Sequence, residues 1–568
     1  MTSILMRNRA NRSISRVQKI QKPRSVFPLN WYRKQTMNCS YLTPITMQEV
    51  EPGDTFNINM TNFMRLATQI TAPIDNLIVN TYFFFVPYRL VWDNFVKQHG
   101  ERENPDDSID YITPTITSGE SGFGFNTIYD YMGGINVTAK GNKITALPFR
   151  AYNKIWNEYF RDETLQDSVT VKKDDSDDDP SLYTLLKKGK ARDYFTDCTP
   201  TIQKGEPVSL PLGTTAPVRG NGMTMGFTDG TKLTGMYPSV NTENNYLFNT
   251  NTYGVPVGET IGAPVSGDST TNRTSIGLTT DATKSGLIAD LSDATASTIQ
   301  ALRLAIHTQE LLENDMRQGT RYTEQLQHRY GVLNPDLRLQ RCQYLGGTYQ
   351  PFFTNPVVQT SGTSITGQST AQGNIAGYGT TGDSGNVIRA SFGEFGCIIG
   401  LACVTAIPQY QFGTHRKWKR FERFDYMYPE FVGLSDQAVK NSEIYTQDND
   451  VVDQETGEEI NDKTFGYIGR YDELRYSQNE ICGELRSDYP TTLDYWHYAE
   501  KFDELPNLNE DFMQDKTDEI VKRSLAVQYE DVEQETLAPQ IIADFEFSGA
   551  VYRCLPAKAK PMISSNCI

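Results

Sequence analysis

Residues 77–86 read Leu-Ile-Val-Asn-Thr-Tyr-Phe-Phe-Phe-Val, and Pro87 closes the run. Branched and aromatic side chains at this density suit a pleated backbone, and a proline cannot donate to a ladder. The stretch is read as a strand. Upstream, Phe56, Ile58 and Met60 alternate with Asn57 and Asn59, again the period of a strand. Downstream, Leu90, Val91, Phe95 and Val96 give residues 88–98 a helical pattern. Tyr152, Ile155, Trp156 and Tyr159 make residues 150–161 an amphipathic helix. A further helix is expected from a Ser292 or Asp293 cap, through the stripe Ile299, Leu302, Ile306, Leu312 and Met316, to Gly319. Residues 388–407 return to β character, and the last third alternates short strands with acidic stretches such as 448–459. Many short β runs separated by long, helix-bearing insertions predict a mainly β antiparallel barrel or sandwich.

The 568 residues are 38% hydrophobic and 11% aromatic, enough for a large core and unlike a disordered chain. No apolar run reaches the length of a membrane span; the longest, Cys397–Ile407, reads as a buried strand. No apolar segment follows the basic N-terminus, so we expect a soluble chain without a secretory signal or membrane insertion. The eight cysteines are scattered without a CxxC pair, and free thiols are expected.

Charge is split along the chain. The 53 basic and 70 acidic side chains give −17, yet residues 1–48 hold nine basic groups and no acid. Without those nine, residues 49–568 stand at −26. A basic arm on an acidic body suits a polyanion at the arm alone. Arg7, Arg9, Arg12, Arg16, Lys19, Lys22 and Arg24 are the candidate phosphate contacts, salt-dependent and without sequence preference. Trp31 and Tyr32 could add base stacking. The plainer alternative is a solvated tail.

Residues 207–290 are dominated by Gly, Thr, Ser, Asn and Pro, and only 10 of the 84 are charged. We read them as an insertion of short strands and turns, with a disordered linker as the alternative. Residues of about 360–386 read as a second Gly/Ser/Thr-rich loop. Within it, Gly377–Gly382 matches GxGxxG and Gly382-Asp383-Ser384-Gly385 resembles a serine-nucleophile loop. Neither has the flanking strand, helix or histidine that its chemistry needs. Residues 172–179 (KKDDSDDD) lack the glycine and distal glutamate of a calcium loop and read as solvated. Five histidines (His99, His307, His328, His415, His497) leave little material for a triad or a metal site. No catalytic residue, cofactor or metal ligand is proposed. His415–Arg420 is a dense basic cluster with an interleaved Trp418; pairing with Glu422, Asp425 and Glu430 is favoured over nucleic-acid binding.

Several stretches carry a resemblance. They are Arg321-Tyr322-Thr323-Glu324, Tyr330-Gly331-Val332, Asn334-Pro335-Asp336, Arg338-Leu339-Gln340-Arg341 and Tyr344-Leu345-Gly346-Gly347. Phe84–Asp93, Lys417-Trp418 with Arg423–Tyr426, and Trp496-His497-Tyr498-Ala499 extend the match. Together the chain resembles the major capsid proteins of gokushoviruses, single-stranded DNA phages of the Microviridae. It departs from the pattern at Tyr330, where Phe is usual, and at Cys342-Gln343, where Pro-Glu is usual. The resemblance implies an eight-stranded antiparallel jelly roll of viral capsid type over 49–568, with large inserted loops. It implies sixty copies in a T=1 icosahedral shell, part of the virion, assembled in the bacterial host cytoplasm around a circular single-stranded DNA genome. Residues 1–48 would be an internal, DNA-facing arm, and about 207–290 would form three-fold protrusions toward a host cell-surface receptor. Sixty arms carry too few charges for such a genome, so polyamines or the family's small basic DNA-binding protein would be needed as well. An internal scaffolding protein and a pilot protein are the other implied partners. Two rivals remain: a β-rich carbohydrate-binding adhesin or receptor-binding protein, and a glycoside hydrolase whose carboxylate pair no motif selects.

Overall fold

The computed structural model describes residues 24–102, 104, 106–206, 208, 218–220, 236–240, 246–250, 287–289, 299–317, 340–360, 362–365, 368–370, 372–373, 375–453, 457–525 and 539–557. The chain forms two compact units, 203–315 and the rest.

The larger unit is built on nine long strands: β1 (Ser25–Met37), β2 (Thr43–Val50), β3 (Thr55–Leu66), β4 (Ile78–Pro87), β5 (Gln343–Pro351), β6 (Phe353–Val358), β7 (Ile375–Ser391), β8 (Gly396–Thr405) and β9 (Ile541–Arg553). They form two antiparallel sheets, ordered β1-β9-β3-β7-β6 and β5-β4-β8-β2. Phe56, Ile58, Met60 and Met64 of β3 and Phe545 and Phe547 of β9 meet Val79, Phe83 and Phe85 of β4 and Ile398 of β8 in one core. Each buried phenylalanine contributes about 1.5–3 kcal/mol.

The four-stranded sheet has a second covered face. There Phe84, Val86, Cys397, Ile399 and Leu401 pack with Phe149, Tyr152, Ile155 and Trp156 of helix α1 (Leu147–Tyr159). All ten residues of β8 are therefore buried, and β4 is buried except at Tyr82. This double burial is why both read as continuous apolar runs rather than alternating ones. Among the described residues the five-stranded sheet is covered on one face only, so β3 alternates buried and exposed along its length.

Several expectations are corrected. The stretch read as an arm over 1–48 enters the fold at Ser25, where β1 forms the edge of the five-stranded sheet and pairs with β9 from Ser25↔Arg553 to Met37↔Ile541. The loop read at 360–386 becomes β7 from Ile375 onward, paired with both β3 and β6. In its first half the buried positions are Gly377, Gly379 and Thr381, so no apolar alternation betrays the strand before Val387 and Ile388. A Cβ at Gly377 would stand 2.5 Å from the Thr71 carbonyl oxygen, which explains the small residue there. Residues 88–98 give only two short turns of helix, Tyr88–Leu90 and Phe95–Gln98. In the acidic stretch 172–179 Asp174, Asp175, Asp177 and Asp179 are exposed, as a solvated loop requires, but Asp178 turns inward and the stretch closes on the buried Arg150 of α1. That guanidinium donates to both Asp178 carboxylate oxygens (2.8 and 2.9 Å) and to the carbonyls of Asp174 and Ser176.

In the smaller unit, Val218–Gly220 pairs with Leu287–Ala289, and Met236–Val240 with Tyr246–Thr250. Helix α2 (Ile299–Arg317) begins there. Its expected cap at 292–293 and its end at Gly319 lie outside the described residues. Leu302 and Ile306 of its apolar stripe are exposed, whereas Met316 is buried.

Candidate assembly and nucleic-acid surfaces

Arg7, Arg9, Arg12, Arg16, Lys19 and Lys22 lie outside the described residues. Arg24 is the first described residue; it is exposed, and its Nη1 donates to Thr55 Oγ1 (3.2 Å) at the head of β3. Trp31 does not stand free for a base: it faces the core side and stacks on Phe547 at 4.8 Å. Tyr32 points the other way and is 67% exposed. Arg33 is a clip, with Nη1 and Nη2 donating to the carbonyls of Met132 and Tyr131, and its burial lowers its pKa.

The uncovered face of the five-stranded sheet is polar and ordered. Its outward residues fall in rows: Tyr32–Glu546–Thr61–Ser384, Asn30–Ser548–Asn59–Asn386 and Pro28–Ala550–Asn57–Arg389. Asn386 Nδ2 donates to Asn57 Oδ1 (2.8 Å) and Asn59 Oδ1 (2.9 Å). The hydroxyls of Thr61 and Ser384 share a hydrogen bond (3.0 Å), as do those of Thr55 and Ser391 (2.8 Å). Of the outward acids, Asp544 is paired by Lys34 (3.1 Å), and Glu546 accepts the Tyr32 hydroxyl (3.1 Å). That carboxylate raises the Tyr32 pKa.

A second surface is apolar. The His415–Arg420 cluster is a structural anchor, as favoured, but its acids come from farther along the chain than expected. Arg416 reaches Glu443 and Glu473, Arg420 reaches Glu473, and Lys417 and His415 reach Glu480. Burial first, then Lys417, lowers the His415 pKa against Glu480, so the ring is neutral at pH 7. Asp425 accepts the backbone N–H groups of Phe421 (2.8 Å) and Glu422 (2.7 Å), fixing the next turn. This anchored segment presents its apolar groups outward: Trp418 is 71% exposed, Phe421 84% and Phe424 62%. Tyr426, Met427, Val432 and Leu434 are exposed beside them. A soluble monomer rarely keeps so large an apolar patch. The aromatic density of 418–431 was the sequence signal, hidden because no period of two or 3.6 organises it.

His497 packs into the fold and His99 against it, whereas His307 is exposed on α2 beside Glu310. His497 is buried; Nδ1 accepts the Ala499 N–H (3.1 Å), and Nε2 donates to the Leu485 carbonyl (2.7 Å). His99 stacks between Phe95 and Phe395. No group of three or more His, Cys, Asp or Glu among the described residues is placed to hold a metal ion. The GxGxxG match lies in mid-strand, so it cannot cradle a phosphate at a helix N-terminus. Among the described residues no helix is long and apolar enough to cross a membrane. Of the residues carrying the resemblance, 321–339 lie outside the described set. Cys342 is buried against α1, its N–H donating to Glu158 (2.8 Å) and its carbonyl accepting the Tyr159 hydroxyl (2.6 Å).

A two-sheet antiparallel sandwich with very long connections and a rigid outward apolar segment is the build of a shell-forming jelly-roll protein. Residues 15–563 match the family described as "Capsid protein (F protein)", and the chain belongs to that family. It is 40% identical over 549 residues to the capsid protein VP1 of Bdellovibrio phage phiMH2K, covering 94% of each chain. It is 35% identical over 578 residues to capsid protein VP1 of Chlamydia phage 1 (94% of each) and 33% identical over 557 residues to that of Spiroplasma virus 4 (95% of each). The resemblance read from the sequence is borne out. The protein is a structural component of the virion, not an enzyme.

Proposed function

We propose that the chain closes into a T=1 icosahedral shell of sixty copies around a circular single-stranded DNA genome. The observation that carries this is the anchored apolar segment 418–434. Each of its aromatic rings offers about 150–250 Å² for burial, and closed symmetry lets every copy bury the same patch. A second copy of the chain is its occupant. The basic residues Arg7, Arg9, Arg12, Arg16, Lys19, Lys22 and Arg24 bind phosphate without sequence preference. The insertion of about 207–290 forms three-fold protrusions that meet a host receptor. The exposed Leu302 and Ile306 on the neighbouring helix suit a region completed by symmetry copies. An internal scaffolding protein, a pilot protein and a small basic DNA-binding protein complete the particle.

The test is expression of the full-length chain beside Phe421→Ser/Phe424→Ser. The wild type is expected to form uniform particles holding nuclease-protected DNA. The variant should fold, with unchanged circular dichroism, yet sediment as unassembled subunits. Particles of normal yield from the variant would remove this segment from the contact. A wild-type monomer without nucleic acid, even with the scaffolding protein added, would overturn the shell reading.

A further inference from the structure

We infer that the face of the five-stranded sheet left uncovered by the described residues is a base-contacting surface for single-stranded DNA. The inference rests on the proposed enclosure of DNA and names the surface that meets it.

Three observations converge. The first is chemistry. The outward positions of a solvated sheet in an acidic chain are where its acids belong, yet β1 and β3 contain no Asp or Glu, and the two outward acids of β9 between them, Asp544 and Glu546, are engaged by Lys34 and Tyr32. The face instead offers amides and hydroxyls in fixed rows. Asn57 and Asn59 both accept from Asn386 through Oδ1, which fixes these amides on an exposed face where each also carries an Nδ2 donor group. Amides and hydroxyls both donate and accept, which suits the mixed edges of unpaired bases.

The second is aromatic exposure on the same face. Tyr32 is 67% exposed and Phe63 57%, at positions where flat rings lie open. Gly382 stands opposite Phe63 and places no side chain beside it. Exposed rings on a polar sheet are the means by which single-stranded nucleic acid is held by stacking, whatever its sequence.

The third is charge. Arg24, Lys34, Arg65 and Arg389 are exposed on these strands. Arg24 sits at the corner of the face, bonded to Thr55. Arg7, Arg9, Arg12, Arg16, Lys19 and Lys22 lie outside the described residues; on the proposed function they add further phosphate contacts. The division of labour follows: cations meet phosphates, and the sheet meets bases.

The test measures binding of a fluorescent oligothymidylate to full-length unassembled subunits across a salt series. It compares wild type with Tyr32→Ala/Phe63→Ala, Asn57→Asp/Asn59→Asp and a deletion of residues 1–23. All substituted side chains face solvent, and circular dichroism checks the fold. Loss of the two rings should weaken binding about tenfold or more with the salt slope unchanged, because stacking releases no counterions. Deleting the N-terminal residues should instead flatten the slope. The Asn→Asp pair should weaken binding in the deleted chain as well. Wild-type affinity in both sheet variants, or no binding by the wild type, overturns the inference. So does failure of the sheet variants to form shells while they still bind DNA, which would mean that a second copy covers the face. Normal shells from the sheet variants leave the capsid reading standing whichever way binding falls.

Discussion

Replacing Arg150 by methionine should cost about 3–5 kcal/mol of stability, the range for removing one member of a buried ion pair. Side chains of Arg150 and Asp178 are both fully buried, with Nε to Oδ2 at 2.8 Å. The guanidinium also holds the carbonyls of Val91, Asp174 and Ser176, so the stretch 172–179 is folded around one cation. Methionine fills similar space but leaves the Asp178 carboxylate with the Tyr183 hydroxyl (2.6 Å) and the Lys172 ammonium at 3.6 Å. Burial alone would raise the Asp178 pKa; hydrogen bonds from Arg150 and Tyr183 override it and hold the group below the usual carboxylate range. The native pair thus contributes stability that is complete above a pH of about 3.9 and is lost as pH falls through the lower folded value. In Arg150→Met the sign reverses. Burial would raise the Asp178 pKa, and the variant should unfold more readily at pH 7 than near pH 4. Urea unfolding of unassembled subunits, followed by tryptophan fluorescence at both pH values, measures this. Arg150→Met/Asp178→Leu, which buries no charge, should recover much of the loss. A single-variant cost under about 1 kcal/mol, as at an exposed pair, would refute the reasoning.

Two further outcomes follow from local geometry. In Gly347→Ala the new Cβ would overlap the Thr81 carbonyl across the β5–β4 pairing. An overpacking cost of about 1–3 kcal/mol should lower the denaturation midpoint, and an unchanged midpoint would contradict the close approach. Burial raises the Asp515 pKa despite hydrogen bonds from Ser40 and Thr517, so its contribution favours the folded state at low pH and is lost as pH rises through the raised value. Asp515→Asn should therefore lose less stability than the wild type between about pH 4 and pH 7, read from denaturation midpoints; parallel pH profiles would count against it.

Legibility in the sequence followed burial. β4 and β8 were plain because both faces are covered, and β3 because its Phe, Ile and Met positions alternate with Asn. β1 alternates too, with Phe27, Leu29 and Trp31 turned toward the core side, but Pro28, Arg33 and Lys34 made it read as an arm. β7 was hidden because glycines fill its inward positions where Leu66 and Phe352 press close. In the acidic stretch 172–179 the exposed Asp174, Asp175, Asp177 and Asp179 fit the solvated reading, but the burial of Asp178 was hidden because its cation, Arg150, lies elsewhere in the sequence. The candidate surfaces were half visible: Asn57 and Asn59 showed as the polar half of an alternation, with no sign that their face stays uncovered. Phe421 and Phe424 follow no strand or helix period, so the sequence does not show that the fold turns them outward.

Electron cryomicroscopy of particles from the expressed full-length chain tests the central claim most directly. A closed shell of sixty copies is predicted, with the outward rows of the five-stranded sheet facing the enclosed DNA and residues 418–434 buried against a neighbouring copy. Open sheets or tubes, a different copy number, or a shell with that sheet face turned to the outside solvent would contradict it.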